Sequence, residues 1–189
     1  MIDFERKEHY GLSDLLRIVA LLRSEGGCPW DRVQTHESLR AGMLEEAYEV
    51  VEAIDNKDLA NLREELGDVL LQVVFHAHIE EERGGFDLTD VINEECEKMI
   101  RRHPHVFLEE SENNHAKSID KVLEKWENIK VQERGDKRVT SRMEKVPKAL
   151  PALTRANKIQ KRAAESGFDW DDISGAFDKV KEEYREVIS

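Results

Sequence analysis

Leu12, Leu15, Leu16, Val19 and Leu22 recur at spacings of three and four, the period of a helix with one apolar face, and Ser13 stands where a cap would. Gly26-Gly27-Cys28-Pro29 stops that pattern, and a loop follows through Trp30-Asp31 to Gln34-Thr35-His36. A second helix is predicted from about Glu37 to Asp55, with Met43, Leu44, Ala47, Val50, Val51 and Ile54 apolar and Asn56 as its break. A third runs from about Leu59 to Glu82 and ends at Gly84-Gly85. A fourth runs from near Leu88 to Arg102, where His103-Pro104 ends it. A fifth, from about Lys117 to Glu133, carries Ile119, Val122, Leu123, Trp126 and Ile129. Residues 135–148 are charged, without an apolar period, and read as a linker or mobile loop. Beyond them lie a helix over 149–165, a turn in which Phe168 and Trp170 are expected to anchor the core, and a last helix from about Gly175 to the end. Strand-type alternation is scarce. The fold class is therefore all-α, with helical layers packed through apolar stripes, and the organisation is a helical domain over 1–134, the linker, and a helical extension over 149–189.

Composition sharpens this picture. With 37% charged and only 6% aromatic residues, the chain suits a helical protein better than a β-sandwich. A net charge of -12 repels nucleic-acid backbones, so DNA or RNA binding is not expected. The charged N-terminus has no apolar signal segment. The apolar run from Val69 to Ala77 is too short to span a bilayer. Two isolated cysteines, Cys28 and Cys96, suggest no disulfide framework. A cytoplasmic setting with no membrane contact is the expectation.

The carboxylates carry the chemistry. On the second helix, Glu45, Glu49 and Glu52 fall in one sector with Glu46 beside them, and no basic residue occurs between Arg40 and Lys57. A solvated face fits this run too, but such faces usually interleave Lys or Arg one turn away. On the third helix, Asp68, Gln72 and His76 lie within about 60° of Glu65, flanked by Leu62, Leu66, Val69, Leu70 and Val73 on one side and by Val74, Leu71 and Phe75 on the other. A helix apolar almost all round is expected to be buried, and buried carboxylates demand cations. Gly67, between the two acids, suggests a close approach by another helix. Two helices that each offer carboxylates three residues apart make a cage for a hard divalent ion such as Mg²⁺, and that suits phosphoryl chemistry. An interhelical polar seam bridged by distant Arg residues fits the same pattern.

Other chemistries fare worse. A carboxylate-bridged di-iron bundle wants Glu-x-x-His on two helices, and the chain has it only at Glu112 to His115, in a polar loop. No GxxxxGK[ST] or GxSxG occurs. A non-catalytic metal- or nucleotide-binding interaction or regulatory module remains the alternative to an enzyme.

Glu45-Glu46-x-x-Glu49 followed by Glu65-x-x-Asp68 resembles the EExxE…ExxD signature of the MazG nucleotide pyrophosphohydrolases. Cys28-Pro29-Trp30-Asp31, Gln34-Thr35-His36, the segment Glu64 to Ala77, Lys98 to Phe107, Ala156-Asn157-Lys158 and Gly167-Phe168-Asp169-Trp170 extend the resemblance over nearly the whole chain. It implies an all-α bundle whose helices pair across a homodimer. It also implies Mg²⁺-dependent hydrolysis of nucleoside triphosphates, NTP and dNTP, to the monophosphate and pyrophosphate, a housecleaning role in the nucleotide pool, with Mn²⁺ as a possible substitute ion. By the family pattern Glu46, Glu49, Glu65 and Asp68 are the metal ligands, and Glu45 is an outer ligand or orients the attacking water. Residues 1–134 then become the catalytic domain. An internal echo, Glu182-Glu183-Tyr184-Arg185-Glu186-Val187, marks 149–189 as holding the start of a second copy, and no ExxD follows it.

Lys98, Arg101, Arg102 and His103 cluster at a helix C-terminus, where cations are favoured in any case. The resemblance points to triphosphate contacts by Lys98, Arg101 and Arg102. Trp30 is a candidate to stack on a base, and a core or interface role fits it equally. His36 and His76 read as hydrogen-bonding partners near the site, and a structural role is the plainer reading.

Overall fold

A computed structural model describes residues 4–107, 139–170 and 172–188, together with Val122, Trp126 and Ile129. The chain forms two compact units, residues 1–101 and 102–189, a division that falls earlier than residue 134. The described residues form helices and connecting turns, with no strand among them.

In the first unit α1 (Leu12–Arg23) is followed by the single turn α2 (Pro29–Arg32), then α3 (His36–Asp55), α4 (Leu59–Glu82) and α5 (Leu88–Arg102). The predicted α1, α3, α4 and α5 are all present within one or two residues. Their ends follow local chemistry. Gly11, not Ser13, caps α1; its N–H donates to the Asp14 carboxylate at 2.9 Å, and Lys7 pairs with the same carboxylate. Thr35 caps α3, accepting from the Ser38 N–H at 3.3 Å, while Ser38 Oγ accepts from the Thr35 N–H at 2.9 Å. Lys57 turns the chain with φ of 55°, and Asp58 caps α4 by accepting from the N–H groups of Ala60 and Asn61.

A three-residue connection folds α4 back along α3, and these two helices make the most extensive packing in the chain; α1 lies against α4. The core is Val19, Leu39, Val74, Phe75, Ala77, Ile79 and Leu88, with Leu15, Leu16, Leu71 and Val73 against it. Burial is uneven along α4. Its C-terminal half is in the core, whereas Leu66 and Leu70 in its N-terminal half are 52% and 43% exposed. The expectation of a helix buried on every side is thus met only beyond Val73. Gly67 differs from that expectation: a Cβ there would meet open space, so no helix among the described residues presses on it. The close approach occurs at Gly42, where a Cβ would meet Gln72 Nε2 at 3.1 Å.

Arg23, at the end of α1, ties the unit together. Its guanidinium donates to both carboxylate oxygens of Glu82 at 3.0 and 2.7 Å, and to the carbonyls of Asp31 and Gln34 at 2.6 and 3.2 Å. One side chain thereby joins α1, the α2 turn and the end of α4, and its hydrogen bonds hold the Glu82 carboxyl below the ordinary range. At the same end of the pair, where α3 begins and α4 finishes, His36 Nδ1 lies 2.7 Å from His76 Nδ1 with the rings stacked, and His36 Nε2 lies 2.7 Å from Glu80 Oε1. This pairing fulfils the structural reading of the two histidines.

In the second unit α6 (Pro104–Phe107) opens the chain, and α7 (Val139–Glu144), α8 (Ala152–Ala164) and α9 (Ile173–Ile188) follow. The fifth predicted helix falls mostly outside the described residues; Val122, Trp126 and Ile129 are helical, and the His103 ring meets the Trp126 ring edge-on at 4.7 Å. The stretch read as a linker holds the short α7, which packs with α8, and Val146 beyond it is 1% exposed. Six helical residues are too few to register as a period in the sequence. Phe168 and Trp170 do not anchor a core: they are 81% and 56% exposed, although the Trp170 ring lies over Gly175, where a side chain would collide with it.

Arg23→Ala leaves Glu82 and two carbonyls without their donor and is expected to cost about 2–3 kcal/mol, read as a fall in Tm of roughly 10 °C. Because the folded Glu82 carboxyl has a lowered pKa, its contribution is present above the unfolded value of 4.5 and is lost as pH falls through the folded one. The wild type and variant should therefore converge in acid; parallel melting curves from pH 7 to pH 3 would refute the pairing.

Candidate metal centre

The antiparallel register of α3 and α4 decides which side chains meet. Glu49 lies eight residues before Lys57 and Glu65 eight residues after it, so they come level across the helix pair. Gly42 and Gln72 come level two turns further on, and His36 with His76 and Glu80 beyond them. The acids of the two helices consequently converge. Glu46, Glu49 and Glu65 each place a carboxylate oxygen within 4.8 Å of the others, the one such group of three or more possible metal ligands among the described residues.

The electrostatics record that convergence. Partial burial pushes the Glu46 carboxyl above its ordinary range, and the negative charges of Asp68, Glu49 and Glu45 push it the same way. Burial also raises Glu65, followed by the charge of Glu49, a hydrogen bond to Glu49, and the charges of Asp68 and Glu46. Asp68 therefore stands close enough to act on both glutamates, and Glu45, which is exposed, acts on Glu46. Among the described residues no Lys or Arg forms an ion pair with any of these five acids. Three to four converging carboxylate oxygens with no protein cation fit a hard divalent ion such as Mg²⁺, which takes oxygen ligands and few of them from protein.

The α9 copy of the motif has a different environment. Lys179 pairs with Glu182 at 2.8 Å and with Glu183 at 3.1 Å, so the helix supplies its own cation to the second EExxE. That is the salt-bridged solvated face which α3 lacks.

Of the remaining site candidates, Lys98 and Trp30 meet partners other than the carboxylates of the centre. Lys98 pairs with Glu95 on its own helix, and both line a groove of about 420 Å³ along α5 with Val91, Glu94, Glu97 and Arg101. Arg101 and Arg102 each have a partner, and Arg102 begins the second unit. Trp30 is 64% exposed on α2, with its carbonyl accepting from Gln34 Nε2 at 2.9 Å. Sequence reasoning passed over Gln72 as a site residue. Its Oε1 is buried without a hydrogen-bond partner one turn beyond Asp68, and its place in the stripe of Glu65, Asp68 and His76 was the signal.

The model of the MazG nucleotide pyrophosphohydrolase domain matches residues 34–107, which span both acidic helices. The chain is 49% identical over 174 residues to the nucleoside triphosphate pyrophosphohydrolase/pyrophosphatase MazG of Thermotoga maritima. It is 47% identical over 175 residues to the nucleoside triphosphate pyrophosphohydrolase of Escherichia coli K12. Each alignment takes in 92% of this chain and 65% of the relative, so the chain spans just under two thirds of the length of those proteins. The crystal structure of a mazG-related protein from Thermotoga maritima superimposes with a TM-score of 0.52 at 34% identity, over 63% of this chain and 98% of that one.

The raised carboxyls give the first test of the centre. A folded group with a raised pKa holds its proton more tightly than the unfolded chain does, so mutual repulsion costs stability increasingly as pH climbs above 4.5. In EDTA at pH 7, Glu46→Gln and Glu65→Gln are expected to melt at or above the wild-type temperature, with the gain shrinking toward pH 4.5. Mg²⁺ should raise the wild-type Tm and move the variants less. Variants that melt lower in EDTA at pH 7, with an undiminished response to Mg²⁺, would remove the assignment.

Proposed function

The chain belongs to the MazG nucleotide pyrophosphohydrolase family, and we propose that it hydrolyses nucleoside triphosphates, ribo and deoxy alike, to the monophosphate and pyrophosphate with Mg²⁺. The observation that carries this reading is the cluster of Glu46, Glu49 and Glu65 with Asp68 beside it and, among the described residues, no cation paired with them. The activity named for the Thermotoga and Escherichia coli relatives supports it.

In this proposal Glu46, Glu49, Glu65 and Asp68 hold the ion, and Mn²⁺ can replace Mg²⁺. The ion supplies charge neutralisation at the phosphates and a more acidic water. Glu45, exposed next to Glu46, orients the water and accepts its proton. The new bond forms between that oxygen and the α-phosphorus; the α–β bridging bond breaks, and pyrophosphate leaves with the bridging oxygen. Lys98, Arg101 and Arg102 bind the triphosphate and Trp30 stacks on the base in the same proposal. Lys98 and Trp30 meet other partners here, so their engagement requires a rearrangement or a second copy of the chain.

A homodimer paired through α3 and α4 supplies such a copy. Leu44, Tyr48, Val51, Ile54, Leu66 and Leu70 are exposed along these helices, apolar side chains of the kind an interface covers, and Gly67 has room for a neighbouring helix. The proposed role is clearance of the nucleotide pool in the cytoplasm. No described helix is long and apolar enough to cross a membrane.

Two measurements test these proposals. Incubation with mixed NTPs and dNTPs should yield monophosphate plus pyrophosphate on anion exchange, abolished by EDTA and lowered about 100-fold or more by Glu49→Gln or Asp68→Asn. Diphosphate plus orthophosphate would overturn the assignment of the cleaved bond, and nucleotide binding without turnover would favour a non-catalytic module. Light scattering after gel filtration should give twice the 21.9 kDa chain mass, falling toward the monomer in a Leu66→Glu/Leu70→Glu variant. A monomeric wild type would overturn the pairing.

A further inference from the structure

Residues 145–164 carry six cations, Lys145, Lys148, Arg155, Lys158, Lys161 and Arg162, and no acid, in a chain whose net charge is -12. The reading of the acidic centre uses none of them. Lys148 and Arg155 line a groove of about 510 Å³ within the second unit, together with Gln160 and an apolar wall that includes Leu150 and Ile159. Arg155 Nε is buried there without a hydrogen-bond partner. Among the described residues no acid pairs with either cation.

A guanidinium carries five donors and no acceptor, and its buried donors are costly to leave unmet. Proteins normally answer such a group with a carboxylate, and here none comes. Leu150 and Ala152 border the groove on either side of Pro151, which caps α8 without any side-chain hydrogen bond, so the first-turn N–H groups add to the positive end. The overall acidity of the chain does not cancel this field, because charges more than about 8 Å away are largely screened at physiological ionic strength.

Size and lining narrow the ligand. The volume lies inside the range of roughly 300–1,000 Å³ for small-molecule sites, larger than a bare inorganic ion needs. A forked guanidinium beside an ammonium matches phosphate oxygens. The apolar wall offers a face for a ring, and the Gln160 amide offers both a donor and an acceptor at its edge. We propose that this groove binds a phosphate-bearing small molecule of nucleotide size, through residues other than those of the acidic centre and without a divalent ion. The inference does not depend on the hydrolase reading.

The test is calorimetric titration of the full chain with AMP, and separately with inorganic phosphate, in EDTA, where the acidic centre repels both. Saturable AMP binding is expected, weakened at least tenfold by Arg155→Gln and by Lys148→Gln, weakened less by Arg155→Lys, and unchanged by Glu49→Gln. Displacement of AMP by inorganic phosphate would support a phosphate seat at the two cations. Circular dichroism melting establishes that each variant is folded. Absence of saturable binding for both probes, retention of full affinity in both the Arg155→Gln and Lys148→Gln variants, or loss of binding in Glu49→Gln would each overturn the proposal.

Discussion

The packing of α4 back along α3 forces like charges together. Helix packing is non-directional and driven by apolar area, and here the main buried cluster lies at one end of the pair, at Leu39, Val74, Phe75, Ala77 and Ile79, with Ala53 buried near the other. The three-residue connection after Asp55 fixes the other end. Between those two fixed points the register leaves no freedom, and Glu46, Glu49 and Glu65 must face one another. Their repulsion is a local cost carried by a distant core, a common arrangement where a site is prepared for a ligand.

The division of labour along α4 follows from that. Its C-terminal half is buried and further secured by His36, by Glu80 and by the Arg23 fork on Glu82. Its N-terminal half keeps Leu66 and Leu70 open and carries the acids. A centre of the proposed kind, open to a hydrated ion and a polyphosphate, does not suit a dry interior, because desolvating both ion and acids would cost more than their attraction returns. The half-exposed position of the acids is therefore better suited to exchange than the buried stripe which the apolar flanks of α4 suggested.

Much of this was legible in the sequence because it is local. The period of Leu12 to Leu22, the Asn56 break and the Gly84-Gly85 stop are short-range signals, and they located α1, α3, α4 and α5. The acids were legible through what was missing between Arg40 and Lys57, and the short connection would have set their register. What was not legible depends on distance or on backbone groups. Arg23 reaches a carboxylate 59 residues away and two carbonyls, which no pattern in the chain encodes. The exposure of Phe168 and Trp170 escaped notice because large aromatic residues are usually buried. Gly67 carries a related lesson: a glycine in a helix signals a close neighbour, and among the described residues the close neighbour lies at Gly42.

The two copies of EExxE make the physical point about the site. On α9, Lys179 stands one turn before the acids and pairs with Glu182 and Glu183. An ion that approaches this face must displace an ammonium already in place, and the pairing energy is subtracted from its affinity. On α3 the equivalent cation is absent, and α4 adds acids in place of bases. The motif is the same in both places, so the letters alone do not make a metal site. What distinguishes them is the company each helix keeps: a helix that neutralises its own acids is a surface, and one packed so that a second helix adds to its charge must take its cation from solution.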